Sequence, residues 1–509
     1  MWKFLSIKKF LIIILLKIPL LFFCLNCSSP PEYNQVKKKT FRELNSIKNH
    51  YQKKLIKYFS KINQKAEKAA EDKKLLKFFF NFRRYYSHKR LPENCNSVKS
   101  LEYKLDKYFI SVYNNFYDIL FLNSKGFVFH SVKQESDYHH NIFKCCLSNS
   151  LLSKKLEQNK GAKQQFVDYD YYLPSGEAAA FFTIPIQNND TFSGYIILQC
   201  PINKINLIMT EHRKLKQTGE VYLVNHKKYM LTDSRFSSDS TILKKKIYTR
   251  AVQKAFIKKK GQALIKDYRG VNVFSVYEQL NCFGNKWVII VEIDEEEILT
   301  KQYLKHKSYY QKKIYNFLAA ESSRCRLNNR TRLNKNGFRA DMNEVIKSEK
   351  EFIFTQGVGP CTAISLHSPK KISWLAHIKP TDKVYLHNPL TRLFLSEENS
   401  DLLDDLLQKI SWYDLTPAEM TKIKAHIAAT HLESFESILE RLLKYKIGLN
   451  HIKFFYNPVA DYLNIQCRPG KKYTLVSWQY ADYNRAKIQQ STNLPSIGSI
   501  IKKVMKDKI

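Results

Sequence analysis

Apolar positions along this chain change spacing several times, and each change marks a different kind of element. Over residues 38–85 they recur every three or four positions: Phe41, Leu44, Ile47 and Tyr51, then Leu55, Tyr58, Phe59 and Ile62, then Leu75, Leu76, Phe78 and Phe79. No Pro or Gly interrupts the run. The spacing predicts one long basic amphipathic helix packed on the sheet of the domain that follows. From about residue 108 the period drops to two. Ile110–Tyr113 leads into Tyr117–Leu122, an Asn123-Ser124-Lys125-Gly126 turn and Phe127–Val132, which reads as strand, turn, strand. A helix over 148–159, strands over 178–186 and 194–200, and a helix over 204–213 follow. A second, similar unit then begins: strands near 219–225 and 230–235, a helix over 246–258, and strands near 267–277 and 287–294.

The last third has its own pattern. Phe352-Ile353-Phe354 is a short strand, and Gly357 and Gly359 flank a turn. Thr362, Ile364 and Leu366 alternate with Ala363, Ser365 and His367. After Ser368-Pro369-Lys370, residues Ile372, Trp374 and Ala376 alternate with Ser373, Leu375 and His377. This predicts a hairpin. Folded symmetrically about Pro369, it opposes Ile364 with Trp374, Ser365 with Ser373, Ala363 with Leu375, and Cys361 with His377. Thr416-Pro417-Ala418-Glu419 is a capping box with Pro at the first helical position, opening a helix to about His431. A helix over Glu433–Lys446 ends at Gly448, and strands follow at Ile452–Tyr456, Tyr462–Cys467 and Tyr473–Trp478. The acidic run Glu397–Asp405 reads as the solvated start of a helix. The whole is an α/β (α+β) chain: a long helix with two lobes over 38–300, a basic linker over 301–335, and a separate α/β layered domain over 336–509.

Ahead of the long helix, Lys3, Lys8 and Lys9 precede an apolar run from Phe10 to Phe23 broken only by Lys17. That run is short for a membrane span and suits an export signal over residues 1–27. Leu25-Asn26-Cys27-Ser28-Ser29 resembles a lipoprotein cleavage site, with Cys27 as the lipidated residue. An uncleaved anchor and plain secretion are the alternatives, and all three carry the rest of the chain out of the cytoplasm. Residues 295–350 hold no second apolar run, so the C-terminal part is expected on the same side of the membrane as the lobes.

Composition adds exclusions. The formal charge is +38, and the lysines fall in scattered short runs such as Lys37-Lys38-Lys39 and Lys258-Lys259-Lys260. No nucleic-acid motif accompanies them, which favours a basic surface bias over a nucleic-acid partner. Ten cysteines in 509 residues are no disulfide scaffold, and no paired Cys-x-x-Cys pattern suggests zinc. His387, His426, His431 and His451 lack metal-ligand spacing and read as surface or satisfied core residues. Neither metal nor cofactor is expected.

Seven segments keep a recognisable order: Tyr117–Val132, Leu173–Phe181, Gly194–Ile208, Thr218–Val224, Thr232-Asp233-Ser234-Arg235-Phe236, Asp267-Tyr268-Arg269-Gly270 and Trp287–Glu292. Together they resemble a double Cache domain, the extracytoplasmic sensor module of bacterial chemoreceptors and histidine kinases. The resemblance implies two stacked α/β lobes and a small-ligand site for an amino acid or carboxylate. By position it implies Tyr169, Tyr171, Tyr172, Tyr222 and Asp233 in that site. Sheet packing is the alternative for the tyrosines, and a turn role for Asp233.

At the hairpin, a cysteine opposite a histidine is a candidate nucleophile–base pair. Backbone N–H groups from Gly359 to Thr362, Pro360 excepted, are candidate oxyanion donors. Thr355, Gly357-Val358-Gly359-Pro360-Cys361, His367-Ser368-Pro369-Lys370-Lys371-Ile372 and Ala376-His377-Ile378 resemble the CheD family of chemoreceptor glutamine deamidases. That likeness implies Cys361 as nucleophile, His377 as base and Thr355 as the orienting residue, acting on a protein glutamine. Pro360 replaces a small serine of the family pattern. The rival reading is a non-catalytic ligand-binding lipoprotein whose C-terminal fold is a relic or an interaction module.

Overall fold

The computed structural model describes residues 32–506, apart from 88–95, 212–214, 324–336, 380–400, 431–432, 458–459, 479–486 and 491–492 and single positions 160, 162, 190, 360, 461 and 472. Cys27 and the export signal, Pro360, His387 and His431 lie outside the described residues. The chain divides into two compact units, residues 38–295 and residues 296–509 with the N-terminal segment to Lys37.

In the first unit the expected single helix is two, α1 (Tyr33–Ala69) and α2 (Lys73–Ser87). Asp72 makes the break. Its Oδ1 accepts the backbone N–H groups of Lys74 and Leu75 at 3.0 Å, and its Oδ2 accepts the hydroxyls of Tyr108 at 2.6 Å and Tyr113 at 2.8 Å. A short acidic side chain competes for free helix N–H groups and so starts a new helix without Pro or Gly. Asp72→Ala is expected to cost ~2 kcal/mol, from a lost cap and two tyrosine hydroxyls without their acceptor. Urea unfolding followed by hydrogen exchange in α2 checks this.

The first lobe is a five-stranded antiparallel sheet in the order β2-β1-β5-β4-β3. Its strands are β1 (Asp118–Asn123), β2 (Val128–Ser131), β3 (Gln165–Tyr172), β4 (Glu177–Asn188) and β5 (Thr191–Pro201). Helix α3 (Asn96–Val112) precedes the sheet, and α4 (Leu151–Gln158) packs Leu152 and Leu156 with Leu120, Leu122, Val167, Phe181 and Ile197. Gly194, at φ +143°, lets β5 approach β1: a Cβ there would lie 1.9 Å from the Leu122 carbonyl oxygen.

Helix α5 (Ile202–Met209) leads to the second lobe, a sheet in the order β6-β9-β8-β7. It comprises β6 (Glu220–Val224), β7 (Lys260–Lys266), β8 (Asn272–Cys282) and β9 (Asn285–Asp294). Helix α6 (Arg250–Lys258), capped by Thr249, lays Ala251, Val252 and Ala255 on Tyr222, Val224, Val288 and Ile290. The opposite face meets α1, where Phe41 packs edge-on to Phe274 at 5.4 Å. Phe59 of α1 sits among Phe166, Phe283 and Trp287, joining both lobes to one helix. Cys200 and Cys282 are buried thiols, whereas adjacent Cys145 and Cys146 are exposed on a 3₁₀ turn.

In the second unit, residues read as a basic linker form α7 (Glu295–Lys305) and α8 (Lys307–Ser323), the latter packed on β16 (Ile452–Tyr456) and on α12 (Ile497–Lys506). Two five-stranded sheets lie face to face. One runs β10-β12-β17-β18-β19 and the other β11-β14-β13-β15-β16. The first comprises β10 (Phe338–Arg339), β12 (Ile353–Val358), β17 (Leu463–Cys467), β18 (Thr474–Trp478) and β19 (Lys487–Gln490). The second comprises β11 (Glu344–Ser348), β13 (Thr362–His367), β14 (Ser373–Ile378), β15 (Lys424–Ala429) and β16. Ile353, Leu463, Ile465, Val476 and Trp478 of one sheet share a core with Ala363, Leu375, Ala428 and Phe455 of the other. Helices α9 (Asp401–Lys409), α10 (Pro417–Met420) and α11 (Glu433–Lys444) complete the unit.

Two expectations change here. The capping box at Thr416 forms, but its helix stops at Met420. Residues 424–429, Ala-rich and helix-like by propensity, are instead a buried strand between β13 and β16. Pairing on both edges and burial outweigh a preference of a few tenths of a kcal/mol per residue. The hairpin pivots on Lys370 instead of Pro369. Ser368 N–H donates to the Ile372 carbonyl at 2.9 Å, and Lys371 takes a left-handed φ of 69°. Ile364 therefore faces Ala376, Ser365 faces Leu375, and Ala363 faces His377.

Candidate functional site

The hairpin shift decides the geometry around Cys361. A displacement of two keeps every side chain on its face, since side-chain direction repeats every two residues. Cys361, Ala363, Leu375 and His377 thus all point between the sheets. Cys361 is not opposite His377, as the symmetric fold required, but one diagonal step along, a separation of roughly 7–8 Å between diagonal neighbours in regular strands and somewhat less between their Cβ atoms.

His377 is held from the other sheet. Its Nδ1 lies 2.7 Å from Oγ1 of Thr355 on β12. Both side chains are buried, and the His377 Nε2 has no hydrogen-bond partner. Burial lowers the His377 pKa below the usual imidazole value; the Asp341 carboxylate opposes this and Arg339 adds to it. Burial also raises the Cys361 thiol, with Lys379 pulling the other way. Both shifts favour a neutral thiol and a neutral imidazole.

The loop before Cys361 is pinned on both sides. Gly357, in the left-handed region at φ 71°, donates its N–H to Asn464 Oδ1 at 3.2 Å. The Gly359 carbonyl accepts the Thr430 hydroxyl at 2.6 Å. The Gly359 N–H is itself spent on the Gly357 carbonyl at 2.9 Å, which removes it from the oxyanion donors expected there.

Farther along the same interior face lies a polar group that sequence reasoning missed. His367 Nε2 and His426 Nδ1 converge on Oγ1 of Thr474 at 3.0 and 2.9 Å, and Ser365 bonds the same hydroxyl. His367 Nδ1 bonds Ser373 at 2.9 Å. The two-residue spacing of Cys361, Ala363, Ser365 and His367 was the available signal. His426, read as a surface or satisfied core residue, is buried and bonded here.

In the first unit, the five residues implied for a ligand site do not meet. Tyr222 and Asp233 belong to the second lobe. Asp233 caps a turn, accepting Asn206 at 2.8 Å, Ser240 at 2.8 Å and the Thr241 N–H at 2.9 Å. Tyr222 is buried and donates to Glu292 at 3.0 Å. In the first lobe Tyr171 is 58% exposed, and Tyr169 is buried against Trp287. Tyr172 alone reaches a polar cluster, donating to Asp137 Oδ2 at 2.7 Å.

That cluster occupies one end of the first lobe's core face. Asp118 on β1 is the register partner of Gln199 on β5. Asp118 accepts Ser131 at 2.7 Å and the Lys133 N–H at 3.1 Å, and Tyr117 donates to Glu135 at 2.6 Å. Burial pushes Asp118 up to about 7, with Asp137 adding to the rise. Burial likewise raises Asp137, and Glu135 adds to it. Three buried acceptors have no donor: Asp137 Oδ1, Glu135 Oε2 and Gln199 Oε1. The Lys133 ammonium lies over the Tyr117 ring at 5.1 Å. Asp118, Asp137, Glu135 and Gln199 carried no motif in the sequence; only folding brings them together.

Among the described residues no three His, Cys, Asp or Glu side chains are grouped to hold a metal ion. No helix among them is long and apolar enough to cross a membrane.

Comparison with known proteins bears on the first unit. No curated protein matches the chain. Solved structures similar to it include the periplasmic sensory domain of the Campylobacter jejuni chemoreceptor Tlp1 (14% identity, 52% of this chain and 98% of that one, TM-score 0.38). Another is the V. cholerae histidine kinase DctB sensor domain (10% identity, 49% and 98%, TM-score 0.32). A third is the ligand-binding domain of the Pseudomonas aeruginosa PAO1 amino acid chemoreceptor PctB in complex with L-Arg (11% identity, 51% and 95%, TM-score 0.32). The family model described as Cache domain matches residues 33–302, more than half of the 509. With its long helix and two successive sheet lobes over that span, the chain belongs to the Cache domain family, the extracytoplasmic type of sensor module.

Proposed function

We propose that this protein is an exported, membrane-anchored sensor whose first lobe binds a small amine-bearing ligand, and whose C-terminal sandwich is a thiol amidohydrolase of the CheD type. The observation that carries the sensor reading is the set of three buried acceptors without a donor, Asp137 Oδ1, Glu135 Oε2 and Gln199 Oε1. Unpaired buried acceptors are costly, and a primary ammonium brings three N–H donors and the compensating charge. An amine-free carboxylate would add further acceptors to the same place, so the cluster favours amines or amino acids over simple acids.

Adding L-amino acids or diamines to the full chain should raise its thermal midpoint in a saturable way. At a hundredfold excess over Kd the stabilisation amounts to about 2.7 kcal/mol. Asp137→Asn should abolish the effect. Equal stabilisation by acetate or succinate, or an unchanged response in Asp137→Asn, would sink this reading.

The catalytic reading rests on the Thr355–His377 bond, which leaves Nε2 of His377 unpartnered on the face that Cys361 shares. In the tautomer with Nδ1–H donating to Thr355, Nε2 is a bare base. It takes the Cys361 proton as sulfur attacks the side-chain carbonyl carbon of a glutamine. The C–N bond then breaks, and ammonia leaves with the proton held by His377. Water, deprotonated by the same nitrogen, attacks the thioester. The C–S bond breaks, and the product glutamate and the free thiol are released. Water is consumed and one ammonia is formed for each amide cleaved.

A further inference from the structure

The second lobe carries a row of polar side chains that neither site uses. Glu220 on β6 is the register partner of Glu292 on β9, and Glu292 is the partner of Ser275 on β8. Antiparallel partners share a face, so three polar side chains stand side by side across three strands. The neighbouring row on that face is Tyr222, Ile290 and Tyr277, under Ala251, Val252 and Ala255 of α6. Glu220 and Glu292 are each 2% exposed and Ser275 is 0% exposed.

No cation bonds either carboxylate among the described residues, although the Arg269 charge lowers Glu220 from a distance. The Arg269 guanidinium bonds Asp267 at 2.6 Å and Asp294 at 2.5 Å. That of Arg235 bonds the carbonyls of Lys216 and Gly219. Asp233 is turned to Asn206, Ser240 and Thr241. Neutral donors serve instead. Glu220 accepts the Arg235 N–H at 3.0 Å and the Tyr268 hydroxyl at 2.6 Å, and Tyr268 also bonds Ser234 at 2.6 Å. Glu292 accepts Tyr222 through Oε2, while its Oε1 and the Ser275 Oγ have no partner.

We propose that Glu220 and Glu292 share a single proton, and that losing it on alkalinisation releases the segment 232–241 bonded to Glu220, making the second lobe a pH-responsive element. Two carboxyls side by side, buried and without a cation, cannot both ionise cheaply. A proton on Glu292 Oε1 can donate to Ser275 Oγ, which supplies both missing partners at once. Burial pushes Glu292 up to about 8, with Asp267 and Glu220 adding to the rise, against the nearby Ser275 hydroxyl, which stands beside it without a well-formed bond, and the Tyr222 hydroxyl, both of which lower it. Burial raises Glu220 as well, but Tyr268, Ser234 and Arg235 pull it back, so the proton resides on Glu292. When it leaves, a second negative charge appears beside Glu220 and Asp267. The segment 232–241 is tied down through Glu220 by Arg235 and by the Ser234–Tyr268 pair, so it is the part that yields.

The sign follows from the raised folded value. The native state holds a proton that the unfolded state has released, so this contribution is full below the ordinary carboxylate range and declines as pH rises to about 8. The test is amide hydrogen exchange of 232–241 in the full chain at pH 6.5 and 8.5, corrected for intrinsic rates. Protection should fall roughly tenfold or more in the native sequence. Glu292→Gln, which mimics the protonated carboxyl, should keep it at both pH values. Glu220→Gln should also remove the transition, and it serves if Glu292→Gln folds poorly. Loss of protection that is the same in all three proteins, or absent from the native one, overturns the proposal. So does stabilisation by ammonium or potassium chloride that Glu292→Gln abolishes, which would put a cation between the carboxylates.

Discussion

Ammonia release from glutamine-bearing proteins by the full chain should fall to background in Cys361→Ala. Thr355→Val should keep substrate binding but slow turnover on the order of 10–100-fold, because the imidazole loses its anchor and its tautomer. The two variants report different things. In the proposed reaction Cys361 forms the bond, whereas Thr355 acts only through His377, so its loss should lower kcat with little change in KM and move the acid limb of the pH profile. Since burial depresses His377, that limb should lie below the ordinary imidazole value in the native protein. The raised Cys361 thiol has its own consequence: iodoacetamide should modify it slowly at neutral pH and faster as pH rises. Equal ammonia release from the native protein and Cys361→Ala would leave the sandwich as an interaction module.

The second large effect concerns Thr474, which shares the sandwich interior but no chemistry. Thr474→Ala removes the hydroxyl on which His367, His426 and Ser365 converge. Each buried polar group left unpaired costs about 1–3 kcal/mol, so the variant should lose ~3–5 kcal/mol or fail to fold. Thr474→Ser, which retains the hydroxyl, should recover most of the loss; urea unfolding followed by Trp478 fluorescence measures both. The same cluster predicts acid sensitivity. Burial pushes His367 down to about 3 and holds His426 well below the ordinary value. The unfolded chain binds protons there that the native one refuses. Stability should therefore be full above pH ~6.5 and fall as pH drops toward 3, by about 1.4 kcal/mol per unit for each histidine.

Periodicity carried much of this architecture. Two successive units followed from the change of spacing after α1, and Cys361 and His377 stood out on one hairpin; the stacked lobes and Thr355 came only with the family resemblances. Pattern could not set the hairpin register, since a shift of two preserves every face; the Ser368–Ile372 closure and the His367–Ser373 bond decide it. It could not see that residues 424–429 are a strand, because alanines in a buried sheet look like a helix. The break at Asp72 turns on two tyrosines far along the chain. The acidic cluster at Asp118, Asp137 and Gln199 is assembled from three separate elements, none of which carries a motif by itself.

Cys145 and Cys146 bear on how the protein is handled. Their neighbours in kind, Cys200, Cys282, Cys361 and Cys467, are buried, so oxidants reach this adjacent pair first among the described residues. Adjacent Cα atoms sit about 3.8 Å apart, short of the roughly 4.4–6.8 Å that a disulfide prefers. Closing on each other is therefore disfavoured, and the thiols are better placed to capture a second molecule. A covalent dimer formed through this turn would say nothing about native assembly, so molecular mass in solution is best measured with reductant present.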